Sequence, residues 1–164
     1  MIIIKLLLGF TQPTNLKTAT NIAEELSPYF NAAKQALAEG RSEISFNQNG
    51  EIVKLNISQE NGQVKISIKK PVEGHKHSSY DQSAVFDSES GKVLSVHQGA
   101  KGYRCGYDDY EVISPSMNVK YNSDGTVTFF KEKDILESGI WIKGADTQTI
   151  DLSVKEPKIR KFGL

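Results

Sequence analysis

Three histidines and a single cysteine have the most obvious chemical potential among the side chains of this 164-residue sequence. His75 and His77 are two residues apart, so an extended backbone would place both imidazoles on the same side of the chain. Together with His97 and either Cys105 or Asp108, they provide the donor types of a tetrahedral metal site. The usual zinc spacings are absent, because there is no CxxC, no HExxH and no second cysteine. We therefore interpret His75 and His77 as residues of a polar surface loop and predict neither a metal nor a cofactor.

Cys105 is a candidate nucleophile, with His97 as its general base and Arg104 as the charge that favours the thiolate. In an extended segment, however, Arg104 and Cys105 point to opposite faces, and no pattern in the sequence brings His97 to the sulfur. A small, partly buried and unreactive cysteine is the more common use of this residue. An enzyme that uses Cys105 or a metal is therefore an alternative and not our expectation. Because one cysteine cannot form an intrachain disulfide, the sequence favours a reducing compartment, and we expect a cytoplasmic protein.

The segment of residues 97–111 carries the strongest indication of function. Its fifteen residues, HQGAKGYRCGYDDYE, contain three glycines and three tyrosines together with Lys101 and Arg104. Tyrosine and arginine provide a large contact area at low entropic cost, which is typical of protein recognition surfaces. The alternative is that the tyrosines cover the edge of a sheet while the glycines form turns. We hypothesise a small non-enzymatic protein-binding domain that acts through a loop at residues 99–110, with the following contact residues: Tyr103, Arg104, Tyr107 and Tyr110.

The balance of basic and acidic residues argues against a nucleic acid as the partner. Twenty basic residues match twenty acidic ones, so the chain lacks the basic footprint of a dedicated nucleic-acid binder. We interpret the basic tail at 155–161 and the acidic cluster at 108–111 as solvated charge. The apolar start of the chain is too short to span a bilayer, and Lys5 interrupts it, which argues against a signal peptide. We expect the partner to be another protein, and neither a membrane nor a nucleic acid.

A helical segment is predicted over about residues 18–39. Asn21, followed by an acidic residue three positions later, is typical of an N-terminal cap, and Gly40 suits the position after the C-terminus. Pro28 removes a backbone donor within the segment, and Ser27 before it would cap a fresh start. We therefore expect a kinked helix or two abutting helices on one face of a sheet. One apolar stripe continues through the break, and it consists of Ile22, Leu26, Phe30, Ala33 and Leu37.

Two Asn-Gly pairs, Asn49-Gly50 and Asn61-Gly62, predict two-residue hairpin turns between strands of alternating apolar and polar residues. These turns set a register that pairs Phe46 with Val53, Ile44 with Leu55, Ile57 with Ile66, and Leu55 with Ile68. Seven apolar side chains then share one face of the sheet: Ile44, Phe46, Val53, Leu55, Ile57, Ile66 and Ile68.

Later in the chain, two glycine turns predict three-residue loops in which the glycine is left-handed. The loop that contains Gly125 would pair Tyr121 with Val127 and Val119 with Phe129, and the loop that contains Gly91 would pair Phe86 with Leu94 and Ala84 with Val96. Further strands are expected near residues 140–143 and 149–154, and long loops at 71–83 and 97–110.

These elements predict a single α+β domain over residues 1–164. An N-terminal strand at residues 2–8 and the kinked helical segment would pack on a twisted antiparallel sheet, a meander of about seven to nine strands. A curved half-barrel and a filled core share the same pattern of apolar and polar residues. A small-molecule or lipid carrier with a cavity between helix and sheet is therefore a further alternative.

Overall fold

The computed structural model describes residues 12–104, 110–114, 116–137 and 140–150, which form an α+β fold with two helices and ten strands. The helices are α1 (Gln12–Leu26) and α2 (Phe30–Ala38), joined by one turn of 3₁₀ helix at Ser27–Tyr29. The strands are β1 (Glu43–Gln48), β2 (Glu51–Glu60), β3 (Gln63–Val72), β4 (His75–Asp87), β5 (Val93–Gln98), β6 (Lys101–Arg104), β7 (Tyr110–Ser114), β8 (Met117–Tyr121), β9 (Val127–Glu137) and β10 (Ile140–Ile150).

Eight of these strands form one antiparallel sheet in the order β1-β2-β3-β4-β5-β8-β9-β10. Each strand lies beside the next one in the chain, except that β5 pairs directly with β8. The two strands between them, β6 and β7, leave the large sheet and pair only with each other in a separate two-stranded sheet. The predicted α+β meander is confirmed, and the β6–β7 hairpin is an excursion from it.

The Asn-Gly turns have the predicted geometry. Asn49 and Gly50 have φ angles of 53° and 85°, and Asn61 and Gly62 have φ angles of 50° and 74°. Positive φ at both central residues defines the type I′ turn, whose twist matches that of the strands it joins. The strand registers are confirmed pair by pair: Phe46 with Val53, Ile44 with Leu55, Ile57 with Ile66, and Leu55 with Ile68.

The two later turns differ from each other. The Gly125 turn, with φ at 86°, pairs Tyr121 with Val127 and Val119 with Phe129 as predicted. The Gly91 turn gives the predicted Ala84–Val96 pair but not the predicted partner of Phe86. Phe86 lies opposite Val93, and the register shifts between Val85 and Phe86. The loop is one residue longer than expected because the Asp87 carboxylate accepts hydrogen bonds from the Glu89 and Ser90 backbone N–H groups and folds the loop around itself.

The helical segment begins earlier than the cap pattern predicts. α1 already includes Gln12, and Pro13 in its first turn is tolerated because backbone donors there need no partner within the helix. Asn21 therefore lies in the middle of α1, and its interpretation as an N-terminal cap was wrong. The predicted break is confirmed, since the 3₁₀ turn at Ser27–Tyr29 contains Pro28. Ser27 caps nothing with its side chain, which is buried instead.

The end of α2 is a Schellman motif centred on Gly40, whose φ angle is 78°. The Arg41 N–H donates to the Ala36 carbonyl at 2.9 Å, and the Gly40 N–H donates to the Leu37 carbonyl at 3.0 Å. These two bonds satisfy carbonyls at the helix end. They turn the chain directly into β1, as the position of Gly40 predicted.

Both helices cover one face of the large sheet and form the core with it. α1 contacts β4, β5 and β8, whereas α2 contacts β1, β2 and β3. Phe86, which is 0% exposed, meets the Phe30 ring edge-on with 5.8 Å between ring centres. The predicted shared face is confirmed: four of its seven residues are buried and the other three pack partly buried against the core, with Ile44, Leu55, Ile57 and Ile66 in the first group and Phe46, Val53 and Ile68 in the second.

The first of the two predicted long loops consists mostly of strands, and so does part of the second. Residues 71–83 belong to the end of β3 and to β4, joined by a two-residue turn in which Gly74 has a φ angle of 79°. Within residues 97–110, Lys101–Arg104 is a strand as well. The loop prediction was wrong for residues 71–83 and for residues 101–104, because these strands carry polar side chains without a two-residue alternation of apolar residues to mark them, and residues 105–109 lie outside the described part of the chain.

Predictions near the ends of the chain have a mixed outcome. The two expected C-terminal strands are one strand as far as Ile150, because β10 pairs with β9 along its whole length. The expected strand at residues 2–8 and the residues 151–154 lie outside the described residues.

Candidate functional site

The hairpin of β6 and β7 brings part of the tyrosine- and glycine-rich segment into a defined geometry. Gly102 lies opposite Val112, Tyr103 opposite Glu111, and Arg104 opposite Tyr110. The register shifts between Lys101 and Gly102, since Lys101 lies opposite Ser114. β7 therefore has one extra residue, Ile113, in a bulge. Within the loop expected at 99–110, Lys101–Arg104 is thus a strand.

Two ring contacts attach β6 to β4. The rings of His75 and Tyr103 are stacked, with 3.7 Å between their centres and 11° between their planes. The Lys101 ammonium lies 4.5 Å from the centre of the Tyr80 ring, a cation–π contact. The Tyr103 hydroxyl also donates a hydrogen bond of 2.6 Å to the Glu111 carboxylate across the hairpin. Tyr103 therefore ties β6 both to β4 and to β7.

The structure describes the four predicted contact residues to different extents. Tyr103 is half-buried and Arg104 is exposed on the same strand. The backbone of Tyr110 lies opposite Arg104, but its side chain is outside the described part of the chain. Tyr107 is outside the described residues altogether, as is Cys105. Tyr103 and Arg104 therefore occupy adjacent positions of β6.

Ile113 is a site residue that the sequence predictions missed. Its side chain is 55% exposed, and Ile52, at the far end of the large sheet, is the other exposed large apolar side chain among the described residues. A bulge commonly redirects a side chain near a functional site, and Ile113 lies in one. The sequence signal that could have revealed Ile113 is the pair of adjacent apolar residues Val112-Ile113. Neighbouring residues of a strand normally point to opposite faces, so such a pair places an apolar side chain on each face.

An open groove of about 590 Å³ lies between the start of β4 and β6, lined by residues 75–79 and 102–104. It exists because the register between β3 and β4 is irregular. Pro71 lies opposite Ser79, whereas Val72 lies opposite His75, so residues 76–78 have no direct partner on β3. These residues bulge from the strand, and their side chains line the groove.

The three histidines do not converge. His97 lies on β5 opposite Ser83, and its Nδ1 is 2.6 Å from the Asn118 side-chain oxygen on β8. On β3, the partners of Ser83 and His75 are Ser67 and Val72, which are five residues apart, so at about 3.3 Å per residue the His97 and His75 positions are separated by roughly 16 Å along the sheet. In the described ranges, no three His, Cys, Asp or Glu side chains are grouped as metal ligands. The nucleophile hypothesis depends on Cys105 and stays a prediction, as does the carrier alternative.

Two carboxyl groups with displaced pKa values lie in hairpin turns outside this groove. Hydrogen bonds from the Ser90 backbone N–H and hydroxyl lower the pKa of Asp87. Hydrogen bonds from the Thr126 hydroxyl and backbone N–H lower the pKa of Asp124. In both cases the ionised carboxylate accepts bonds that organise a turn, so these groups have a structural role.

No family model matches the sequence, and neither a curated protein nor a solved structure matches it. None of the helices in the described part of the chain has the length and apolar character needed to cross a membrane.

Proposed function

We propose that the protein is a small non-enzymatic protein-binding domain whose contact surface is the β6–β7 hairpin. The observation that carries this proposal is the exposure of Ile113 in a bulge of the same hairpin that presents Arg104 and Tyr103. A single exposed isoleucine is common on protein surfaces, as Ile52 illustrates, so the indication is its combination with other residues. On the same hairpin as an arginine and a tyrosine, it provides the mixture that is enriched at the centre of protein interfaces.

The fixed position of the Tyr103 side chain supports the proposal. Tyr103 is held by the His75 ring on one side and by the Glu111 carboxylate on the other. A side chain that is already fixed loses little conformational entropy when a partner covers it. The hairpin also stands outside the eight-stranded sheet, so a partner can contact it without disturbing the main core.

The test compares two isoleucines of similar exposure. The partner is first identified by affinity capture from the native host and then purified for titration calorimetry. Ile113→Ser should weaken its binding by roughly 30-fold, which corresponds to a hot-spot loss of about 2 kcal/mol. Ile52→Ser is the matched control, because Ile52 is 73% exposed on β2, away from the hairpin.

Arg104→Ala should also weaken binding, because Arg104 is exposed on the same hairpin. The Tyr103→Ala change is a poor test of binding alone, because Tyr103 also holds the hairpin in place. If Ile113→Ser and Arg104→Ala both bind the partner as tightly as the wild type, the proposed contact surface is wrong.

A further inference from the structure

We infer that the groove between β4 and β6 binds the phosphoryl group of a phosphorylated side chain on the partner, an inference that rests on the protein-binding function proposed above. The groove combines a guanidinium, an ammonium, two imidazoles and two hydroxyl groups within one open space. These groups come from six residues: His75, Lys76, His77, Ser78, Ser79 and Arg104.

Among the described residues, no ion pair joins a cation of the groove to a carboxylate. The ion pairs among the described residues join Arg41 to Glu39 and Lys70 to Glu25, both outside the groove. Glu111, on the opposite strand of the hairpin, accepts the hydrogen bond from the Tyr103 hydroxyl with its carboxylate. In a chain with a net charge of zero, two cations that form no ion pair with a described residue make this groove a local site for an anion.

The number and kind of donors favour a phosphoryl group over a carboxylate. A phosphorylated side chain carries close to two negative charges and three strong acceptor oxygens, whereas a carboxylate has two oxygens and one charge. The Arg104 guanidinium can donate two parallel bonds to such a group, and Lys76 can act as a point charge beside it. The hydroxyls of Ser78 and Ser79 are short donors that can reach the remaining oxygens.

The shape of the groove suits a side chain presented by a protein. Its volume of about 590 Å³ is larger than one phosphoryl group needs, which leaves room for the residues on either side of it. The β4 wall of the groove is held in place where His75 stacks on Tyr103 of β6. Ile113 is exposed on the hairpin that forms the other wall, and we expect the bound segment to extend from the groove towards it.

The inference is tested by titrating the ¹⁵N-labelled protein with the peptide acetyl-Ala-phosphoserine-Ala-amide at constant ionic strength. Saturable chemical-shift changes are expected at residues 75–79 and 102–104. The Lys76→Gln/Arg104→Gln double variant should weaken this binding at least tenfold. Lys54→Gln/Lys65→Gln removes the same charge from exposed positions of β2 and β3 and should bind as the wild type does. Arg104→Lys keeps the positive charge but loses the planar guanidinium that donates two parallel hydrogen bonds, so its phosphopeptide affinity should lie between those of the two double variants.

Four results would overturn the inference. The first two are chemical-shift changes spread over the whole surface and an equal loss of phosphopeptide affinity in both double variants. The other two are binding of acetyl-Ala-Glu-Ala-amide as tight as that of the phosphopeptide, and binding of a single-stranded oligonucleotide tighter than that of the phosphopeptide. The spectrum of each variant reports directly whether the fold is intact.

The two proposals fail in different ways. If phosphatase treatment of the purified partner leaves its affinity unchanged while Ile113→Ser weakens it, the groove inference is wrong and the protein-binding function stands. If the phosphopeptide binds in the groove but Ile113→Ser and Arg104→Ala have no effect on partner capture, the proposed contact surface is wrong.

Discussion

Replacing Tyr103 with alanine should loosen the β6–β7 hairpin without unfolding the eight-stranded sheet. The hairpin pairs with no strand of the large sheet, so side-chain contacts and the backbone hydrogen bond from Gly99 to Asp81 determine how it lies against β4. Tyr103 makes one of these side-chain contacts, the ring stack on His75, and its hydrogen bond to Glu111 also holds β6 to β7. Removing the Tyr103 side chain therefore weakens the attachment of the hairpin and leaves the core of the large sheet unchanged.

The expected magnitude follows from these two contacts. A stacked aromatic pair contributes about 0.5–1.5 kcal/mol beyond the area it buries. The hydrogen bond to Glu111 has a charged acceptor but is exposed, so we assign it about 1 kcal/mol. Together they amount to about 2 kcal/mol, or roughly a 30-fold increase in the population in which the hairpin is detached from β4 and its two strands are separated. Tyr103→Phe keeps the stack and should produce only about a fivefold increase.

Native-state amide hydrogen exchange measures this population residue by residue. In Tyr103→Ala, the amides of β6 and β7 should exchange about 30-fold faster, while those of β3 and β4 around Ile66 and Ala84 should keep the wild-type rate. A double-mutant cycle with His75→Ala should give a coupling energy of about 0.5–1.5 kcal/mol. The reasoning is refuted if the β6 and β7 amides of Tyr103→Ala exchange at the wild-type rate. It is also refuted if protection is lost equally throughout the large sheet.

Three further predictions concern the fold. Phe86→Ala should lower the free energy of unfolding by about 3–5 kcal/mol in urea titrations, because Phe86 is fully buried, whereas Ile52→Ala should change it by less than about 0.5 kcal/mol; similar losses would contradict the described core. Gly50→Ala should cost about 1 kcal/mol, because φ is 85° there and the added Cβ meets no atom within 4 Å. Gly99→Ala is its control, since its added Cβ makes only ordinary contacts at 3.5 Å and longer, and an equal cost at Gly99 would refute the backbone argument. Because the folded pKa of Asp87 is lowered, its contribution to stability is present above the unfolded pKa of about 4 and is lost as the pH falls through the folded value. Carbon NMR should show the Asp87 carboxyl titrating below pH 4, and a midpoint above it would be inconsistent with the hydrogen bonds from Ser90.

Much of the large sheet could be predicted from local sequence. Asn49-Gly50 and Asn61-Gly62 favour one turn type, and the alternation around them selects one register, because a slip by one residue would bury lysine. The apolar stripe of the helical segment likewise identified the helix face that packs on the sheet. The Gly91 turn is the exception. Its loop length depends on hydrogen bonds to Asp87, which the spacing of apolar residues does not report.

The candidate site was only partly visible in the sequence. Composition identified Tyr103 and Arg104, which lie together on β6. It did not identify His75 as the ring on which Tyr103 stacks, because the two residues are 28 positions apart and meet only through the pairing of β4 and the course of β6. Ile113 was missed because its exposure depends on a bulge in β7.

The sequence by itself therefore determined the class of fold, the registers of the Asn-Gly hairpins and the apolar face that forms the core. Turn chemistry and two-residue alternation act between near neighbours, so both can be seen in a single stretch of chain. Only the tertiary structure decided that β6 and β7 leave the large sheet, that residues 76–78 bulge from β4, and that these two features enclose a cationic groove. The physical reason is that polar strands are specified by the partners that satisfy their backbone groups, and those partners are distant in sequence.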